Sequence, residues 1–81
     1  MNNIEKYKNC FIQVFELTGD ADVESLTYQS IPVWDSVGHM GLMAALEDTF
    51  DIMLETDDII DFASFEVGVK TLEKYGVDLS K

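Results

Sequence analysis

Apolar side chains recur every three or four residues along several segments of this chain, and that spacing constrains its fold more than any other feature. A period of 3.6 residues places such side chains on one face of a helix, whereas a half-buried strand needs strict alternation. No alternating apolar run is long enough to make a convincing strand. We therefore expect an all-α fold, in which residues 1–81 form a single domain around one hydrophobic core.

Capping and stop residues divide this pattern into three main helices and one short helix. Asp35 and Ser36 have side chains that cap a helix N-terminus, and the helical period resumes directly after them. Gly19 follows the first segment and Gly76 the last, as is typical of helix ends. The predicted helices run from about Asn3 to Leu17, from Ser36 to Phe50, from Thr56 as a cap to Asp61, and from Ser64 as a cap to Gly76.

The predicted core combines an apolar stripe on the first helix with apolar faces of the second, third and fourth. The stripe of the first helix consists of Ile4, Tyr7, Phe11, Val14 and Phe15. Cys10, the only cysteine of the chain, lies beside the apolar stripe of the first helix, and we expect it to be a small buried residue with no further role. The predicted core positions of the later helices are Met43, Leu46, Phe50, Ile59, Ile60, Phe62, Val69 and Leu72.

Between the first two helices, residues 18–34 lose the helical period and form a long loop. Pro32 removes an amide donor there. Long loops in compact domains are usually functional or held by their own apolar side chains. Val23, Leu26, Ile31 and Val33 are the candidates; we expect Leu26 and Ile31 to hold the loop, and Trp34 to anchor its end on the core.

The charge of the chain excludes some partners and favours others. Sixteen acidic residues against five basic ones give a formal net charge of −11. This field repels nucleic-acid backbones and anionic lipid surfaces, so we expect neither nucleic-acid nor membrane binding. It attracts proteins with basic surfaces and speeds their encounter, the more so at low salt.

The remaining composition indicates a cytoplasmic protein. A single cysteine cannot form an internal disulfide, and the N-terminus lacks the apolar stretch of a signal peptide. No window approaches the ~20 apolar residues that cross a bilayer. Neither end carries a linker, so we expect a free-standing module. We also expect it to be a monomer.

The dipeptide Asp35-Ser36 presents a hydroxyl at a helix start. Backbone N–H groups are unpaired there and the helix dipole is positive, so a phosphodiester on Ser36 would be stabilised without a basic side chain. Asp35 opposes this locally, which makes more sense if a modifying enzyme grips the site through a cation before the phosphate is added. The alternative is that Asp35 and Ser36 merely cap the helix.

The wider context resembles the acyl carrier protein family, in which an Asp-Ser-Leu-type motif opens the second helix. The similarity extends over nearly the whole chain: a helix, a long loop, the serine, an acidic second helix, a short helix and a final one. The residues that carry it are Trp34-Asp35-Ser36-Val37-Gly38-His39-Met40 and Ala45-Leu46-Glu47-Asp48-Thr49-Phe50-Asp51-Ile52.

This resemblance implies an acyl-carrier-like four-helix bundle and a carrier function without catalysis. Ser36 would bear a covalent 4′-phosphopantetheine arm, whose thiol holds acyl groups as thioesters for biosynthetic enzymes. Asp35 would contact the phosphopantetheinyl transferase, and Glu47 and Asp48 would contact basic docking surfaces of acyl-loading and acyl-processing enzymes. Val37 and Met40 match apolar positions that partners touch, although both could equally face the core.

The chain departs from the commonest family pattern at four positions. Val33 and Trp34 stand where small residues are usual, Val37 where leucine is commonest, and Gly41 where a recognition acid often lies. These departures put the partners in doubt, and not the modification. A Trp-Asp-Ser variant is familiar among stand-alone carriers of specialised pathways, so the cargo could be a fatty acid, a polyketide unit, or an amino acid of a nonribosomal-type pathway.

Three other functions compete with a carrier. A serine hydrolase could use Ser36 and His39, but Trp34 replaces the first glycine of the usual nucleophile elbow, and we expect His39 to be a solvated residue. Asp20, Asp22 and Glu24 begin like a calcium loop, but the rest of that loop is missing, so we expect no specific metal site. The third is an acidic interaction adaptor without an arm.

Overall fold

A computed structural model describes residues 2–18 and 22–79, and it confirms the predicted all-α class. Within these ranges there are four α-helices, one 3-10 helix at Val23–Ser25 and no strand; an isolated antiparallel bridge joins Thr27 to Ser64. Three helices are long and one is short, as the sequence predicted. The α-helices are α1 (Asn3–Val14), α2 (Ser36–Phe50), α3 (Thr56–Asp61) and α4 (Phe65–Lys74).

All three long helices end in the same way. The chain turns through one residue of positive φ, namely Glu16 (53°), Asp51 (54°) or Gly76 (84°). The next N–H then donates a hydrogen bond to the carbonyl five residues earlier. This closure satisfies a carbonyl that the helix end would otherwise leave without a partner. The three N···O distances are 2.9 Å for Leu17 to Ile12, 3.1 Å for Ile52 to Glu47, and 3.1 Å for Val77 to Leu72.

This closure corrects the predicted end of the first helix. α1 was expected to reach Leu17 and to stop at Gly19, but it ends at Val14 because Glu16 takes the left-handed conformation. Gly19 lies outside the described residues. A non-glycine residue in that conformation costs free energy, which the hydrogen bond and the burial of the following apolar side chain offset.

Aromatic side chains fill the centre of the core. Tyr7, Phe11 and Trp34 are fully buried, and Phe65 is almost so. The Tyr7 hydroxyl donates a 2.7 Å hydrogen bond to the Phe65 carbonyl, and burial raises the pKa of Tyr7 well above its usual value. Cys10 is buried as predicted, and its Sγ lies 3.3 Å from Thr49 Oγ1.

Most predicted core positions are correct, and one is wrong. Ile60 is 71% exposed, because the short helix α3 has no fully buried residue and turns this side chain to solvent. Met43, Leu46, Phe62 and Leu72 are buried, and Phe50, Ile59 and Val69 pack against the core while partly exposed.

The long loop is held on the core by several apolar side chains. Leu26 and Ile31 pack against the core as predicted, Val23 is buried and Trp34 is fully buried, whereas Val33 is 45% exposed. The backbone adds two ties to the α3–α4 connection: Tyr28 N–H bonds to the Ala63 carbonyl at 2.8 Å, and Phe65 N–H bonds to the Leu26 carbonyl at 3.0 Å. These ties fix the position of Tyr28.

Polar contacts attach α3 to α4. The N-cap of α3 is Glu55, not Thr56 as predicted. The Glu55 N–H donates a hydrogen bond to the Tyr75 hydroxyl at 3.0 Å. Asp58 accepts hydrogen bonds from Lys74 and from Tyr75. The bond from Lys74, followed by that from Tyr75, lowers the pKa of Asp58 below its usual value. Ser64 caps α4 as predicted, accepting from the Val67 N–H.

Two glycines allow two backbone effects to be compared, one at the end of α4 and one inside α2. A Cβ at Gly76 would meet no atom within 4 Å, so Gly76→Ala reports only the cost of its positive φ. We expect a loss of about 1 kcal/mol in the free energy of unfolding. Gly41, inside α2, would place a Cβ in ordinary contact with Val14, and Gly41→Ala should stabilise by up to ~1 kcal/mol.

Urea denaturation of both variants measures the two effects. If Gly76→Ala changed the free energy of unfolding by the same amount and in the same direction as Gly41→Ala, this account of the α4 end would be contradicted.

Candidate functional site

The start of α2 presents the Ser36 hydroxyl because Asp35 does the capping. Asp35 has extended backbone angles (φ −105°, ψ −166°), and its Oδ1 accepts the Gly38 N–H at 2.9 Å. The first helical bond runs from the His39 N–H to the Asp35 carbonyl at 2.8 Å. Ser36, the first residue of α2, is therefore exposed and takes no part in capping.

Gly38 lets the loop pass close to this first turn. A Cβ at Gly38 would overlap the carbonyl oxygen of Val33 and crowd the ring of Phe15. Any other residue would push the end of the loop away from α2. Glycine has a low helix propensity, but at this position it allows the Val33 carbonyl to lie against the first turn of α2. This contact fixes the backbone on both sides of Ser36.

Tyr28 is a neighbour of Ser36 that the sequence analysis missed. Its hydroxyl lies 3.4 Å from Ser36 Oγ, and its ring meets the His39 and Trp34 rings edge-on at 5.4 and 6.4 Å. Tyr28 lies in a segment without periodic pattern, so only the backbone ties to the α3–α4 connection bring it here.

An open cleft of about 370 Å³ begins beside Ser36 and lies between α2 and α3. Apart from Ser36, Tyr28 and His39, its lining is apolar: Met40, Ile59, Ile60, Phe62 and Ala63. A serine hydroxyl at the edge of an apolar cleft suits a group that is attached at one end and lies along a hydrophobic surface.

His39 joins three parts of the structure through both of its ring nitrogens. Nδ1 accepts the Trp34 indole N–H at 3.0 Å, and Nε2 lies 2.7 Å from the Ile59 carbonyl. An indole N–H can only donate and a carbonyl can only accept, so the ring is neutral with its proton on Nε2. The rings of Trp34 and His39 are stacked at 17°.

This geometry corrects the expectation that His39 is solvated. The side chain is half-buried, and it links the loop, α2 and α3. Neither ring nitrogen bonds to Ser36, so the Ser36–His39 pair that a hydrolase would need is not formed.

Apolar side chains surround Ser36 on the protein surface. Val37 is 81% exposed and Met40 55%, which removes the alternative that both face the core. Ile60 and Val33 extend this surface. We call Val33, Val37, Met40 and Ile60 the apolar rim.

The two predicted recognition acids lie farther along α2 and differ from each other. At 1.5 Å per residue, Glu47 and Asp48 are about 16–18 Å from Ser36 along the helix. Asp48 is exposed, but Glu47 is half-buried and its Oε2 accepts the Leu54 N–H at 2.8 Å. Glu47 therefore holds the α2–α3 connection as well as carrying charge, which the sequence analysis did not foresee.

The described part of the chain holds no cluster of acids, histidines or cysteines that could bind a metal ion. Glu24 pairs with Lys8 at 2.8 Å, and Asp20 lies outside the described residues. No helix in residues 2–18 and 22–79 is long and apolar enough to cross a membrane.

Comparison with protein-family models, with curated proteins and with solved structures finds no match for this chain. The structure brings Asp35, Ser36, Val37 and Met40 together at one end of α2, with Tyr28 and His39 added, and it leaves Glu47 and Asp48 at the other end.

Replacing His39 tests the hydrogen bond to Trp34. His39→Phe keeps an aromatic ring but leaves the fully buried indole N–H without an acceptor, so we expect a loss of about 1–3 kcal/mol in the free energy of unfolding. In a Trp34→Phe background the same replacement should cost clearly less, because no donor is then stranded. Urea unfolding of the four proteins gives the coupling energy; a cost of His39→Phe that is equal in both backgrounds would rule out the bond.

Proposed function

We propose that this protein is a carrier that holds acyl groups on a 4′-phosphopantetheine arm attached to Ser36 and presents them to biosynthetic enzymes. One observation carries the proposal: the Ser36 hydroxyl is exposed at the start of a 15-residue helix, is not used for capping, and opens onto an apolar cleft. A serine that only capped α2 would need no such cleft.

The residues around Ser36 suit a phosphodiester with an organic arm. The N–H groups of Ser36 and Val37 precede the first intrahelical bond of α2. They point out of this end of the helix, where they can donate hydrogen bonds to an anion. The Tyr28 hydroxyl adds a donor, and the cleft offers apolar surface beyond it. When bound, the arm supplies a terminal thiol that holds an acyl group as a thioester; the protein supplies position and address.

The arrangement of the helices supports the same proposal. Two long helices separated by a long loop, then a short helix and a last long one, match the order expected for an acyl-carrier-like four-helix bundle. We further propose that the protein is monomeric and cytoplasmic and has no catalytic activity of its own.

Recognition by partners would combine apolar contact near the arm with charge farther along α2. The apolar rim is too exposed to serve the core, and it surrounds the residue that partners must reach. Asp35 and Asp48 offer carboxylates to the phosphopantetheinyl transferase and to basic surfaces of acyl-loading and acyl-processing enzymes. Such contacts steer rapid, salt-sensitive encounters that can also be released.

Intact mass tests the attachment. After co-expression with a broad-specificity phosphopantetheinyl transferase, the wild type should gain one phosphopantetheine and Ser36→Ala none, because the acceptor oxygen is gone. Ser25→Ala, which removes an exposed serine of the 3-10 helix, should gain it fully. A folded wild type without the increment would exclude the carrier and favour an unmodified adaptor that uses the apolar rim.

Charge reversal tests the docking surface. At low salt, Asp48→Lys should lower kcat/KM for modification by the transferase by about three- to tenfold, and the difference should shrink at high salt. Glu73→Lys makes the same charge change on α4, away from α2, and should have little effect.

Glu47 needs a separate variant. Glu47→Gln removes the charge but retains an oxygen that can accept the Leu54 N–H, so it separates docking from local structure. An unchanged low-salt rate for Asp48→Lys would exclude this end of α2 as a docking surface for the transferase.

A further inference from the structure

The cleft beside Ser36 ends against a hydrogen-bonded barrier. His39 lines the cleft and spans the gap between α2 and α3, with its Nε2 bonded to the Ile59 carbonyl at 2.7 Å. On its inner side, Nδ1 accepts the indole N–H of Trp34, which is completely buried. A ligand in the cleft can reach the core at this point only by separating one or both of these bonds.

The core behind the barrier is already closed. Met43 and Leu46, which do not line the cleft, are at most 1% exposed. No buried side-chain nitrogen or oxygen of the described residues lacks a hydrogen-bond partner. Separating Trp34 from His39, the acceptor of its indole N–H, would strand that N–H in an apolar surrounding, and that is unfavourable.

α3 depends on His39 for its polar attachment to α2. The helix has only six residues and none is fully buried. Its other polar attachments, from the Glu55 N–H to Tyr75 and from Asp58 to Lys74 and Tyr75, all run to the end of α4 and hold no part of the side that faces α2. Loss of the His39 bond would therefore release the edge of α3 that borders the cleft.

We propose that His39 is the residue that keeps cargo in the surface cleft and out of the core. The proposal rests on the carrier function above and specifies its cargo class: short or polar acyl groups, which gain little from leaving the cleft, in place of long alkyl chains that need a core to shelter them. His39 acts through Trp34 and α3, so it is a positioning residue that determines specificity.

The only tryptophan of the chain reports directly on this barrier. Ser36 is loaded with acetyl- or octanoyl-phosphopantetheine from the corresponding acyl-coenzyme A by a transferase that accepts acylated donors, and loading is verified by intact mass. The Trp34 indole N–H resonance and its hydrogen exchange are then compared. We expect the acetyl and octanoyl forms of the wild type to give the same resonance and the same protection.

His39→Phe should remove the barrier. In this variant the octanoyl form, and not the acetyl form, should shift the indole resonance, and exchange without cargo should be about tenfold faster, the rate equivalent of one lost hydrogen bond. His39→Gln can still accept from the indole and donate to the Ile59 carbonyl, so it should restore the behaviour of the wild type. Gly76→Ala controls for general destabilisation, since Gly76 lies beyond the end of α4, and it should behave like the wild type.

Two results would overturn the proposal. An octanoyl-dependent shift of the Trp34 indole in the wild type would show that long chains pass His39, and this comparison needs no variant. A His39→Phe protein that folds but shows no octanoyl-dependent shift would show that His39 is not the barrier. If Ser36 never acquires the arm, the carrier function fails as well, and intact mass reveals this before any resonance is compared.

Discussion

The burial of Trp34 holds together the elements that create the site. Its ring packs against Phe11 of α1 and against Phe15, the residue that follows α1, with centroids 5.6 and 5.4 Å away, and its indole N–H reaches His39 of α2. Its backbone closes the loop as well, since the Trp34 carbonyl accepts the Gln29 N–H at 3.0 Å. One residue therefore positions the end of the loop against two helices at once.

The surface around Ser36 is apolar where stability alone would not require it. Val37 and Met40 continue the helical pattern of α2, but they are turned outward, while Leu42, Met43 and Leu46 meet the core. A helix with apolar residues on more than one face has a second surface to satisfy. Near Ser36 that surface includes a cleft, and farther along α2 it gives way to the acids Glu47 and Asp48. The change from apolar to acidic along one helix agrees with the docking surface proposed for α2.

Much of the fold could be predicted because its signals are local. The period of the apolar residues gave the class, and Asp35, Ser64 and Gly76 gave helix ends. The end of α1 was missed although a local signal existed: Phe15-Glu16-Leu17, Phe50-Asp51-Ile52 and Tyr75-Gly76-Val77 share the order aromatic, turning residue, aliphatic. Only the last of the three contains glycine, so a search for glycine alone found one closure of the three.

The rest of the site depends on contacts between residues that are distant in the chain. Tyr28 reaches Ser36 through backbone bonds to the α3–α4 connection, and the partner of His39 is a carbonyl twenty residues away. No periodicity encodes either contact. Ile60 was assigned to the core because its residue type is apolar, yet in a six-residue helix with no fully buried side chain the type decides little.

The α2 side of the cleft is held more firmly than the α3 side. This difference is consistent with a function that needs a fixed attachment point beside a surface that can adjust. The α2 side is fixed by Trp34, by the Asp35 cap and by the close approach of Gly38 to Val33. The α3 side is a short helix held by a few polar bonds, made by the Glu55 N–H, Asp58 and the Ile59 carbonyl. Polar bonds of this kind contribute only about 1 kcal/mol each, so losing one of them would loosen α3 while the backbone that bears Ser36 stays in place. Among these bonds, the one from His39 borders the cleft, which is why its loss would change what the cleft admits before it changes where Ser36 lies.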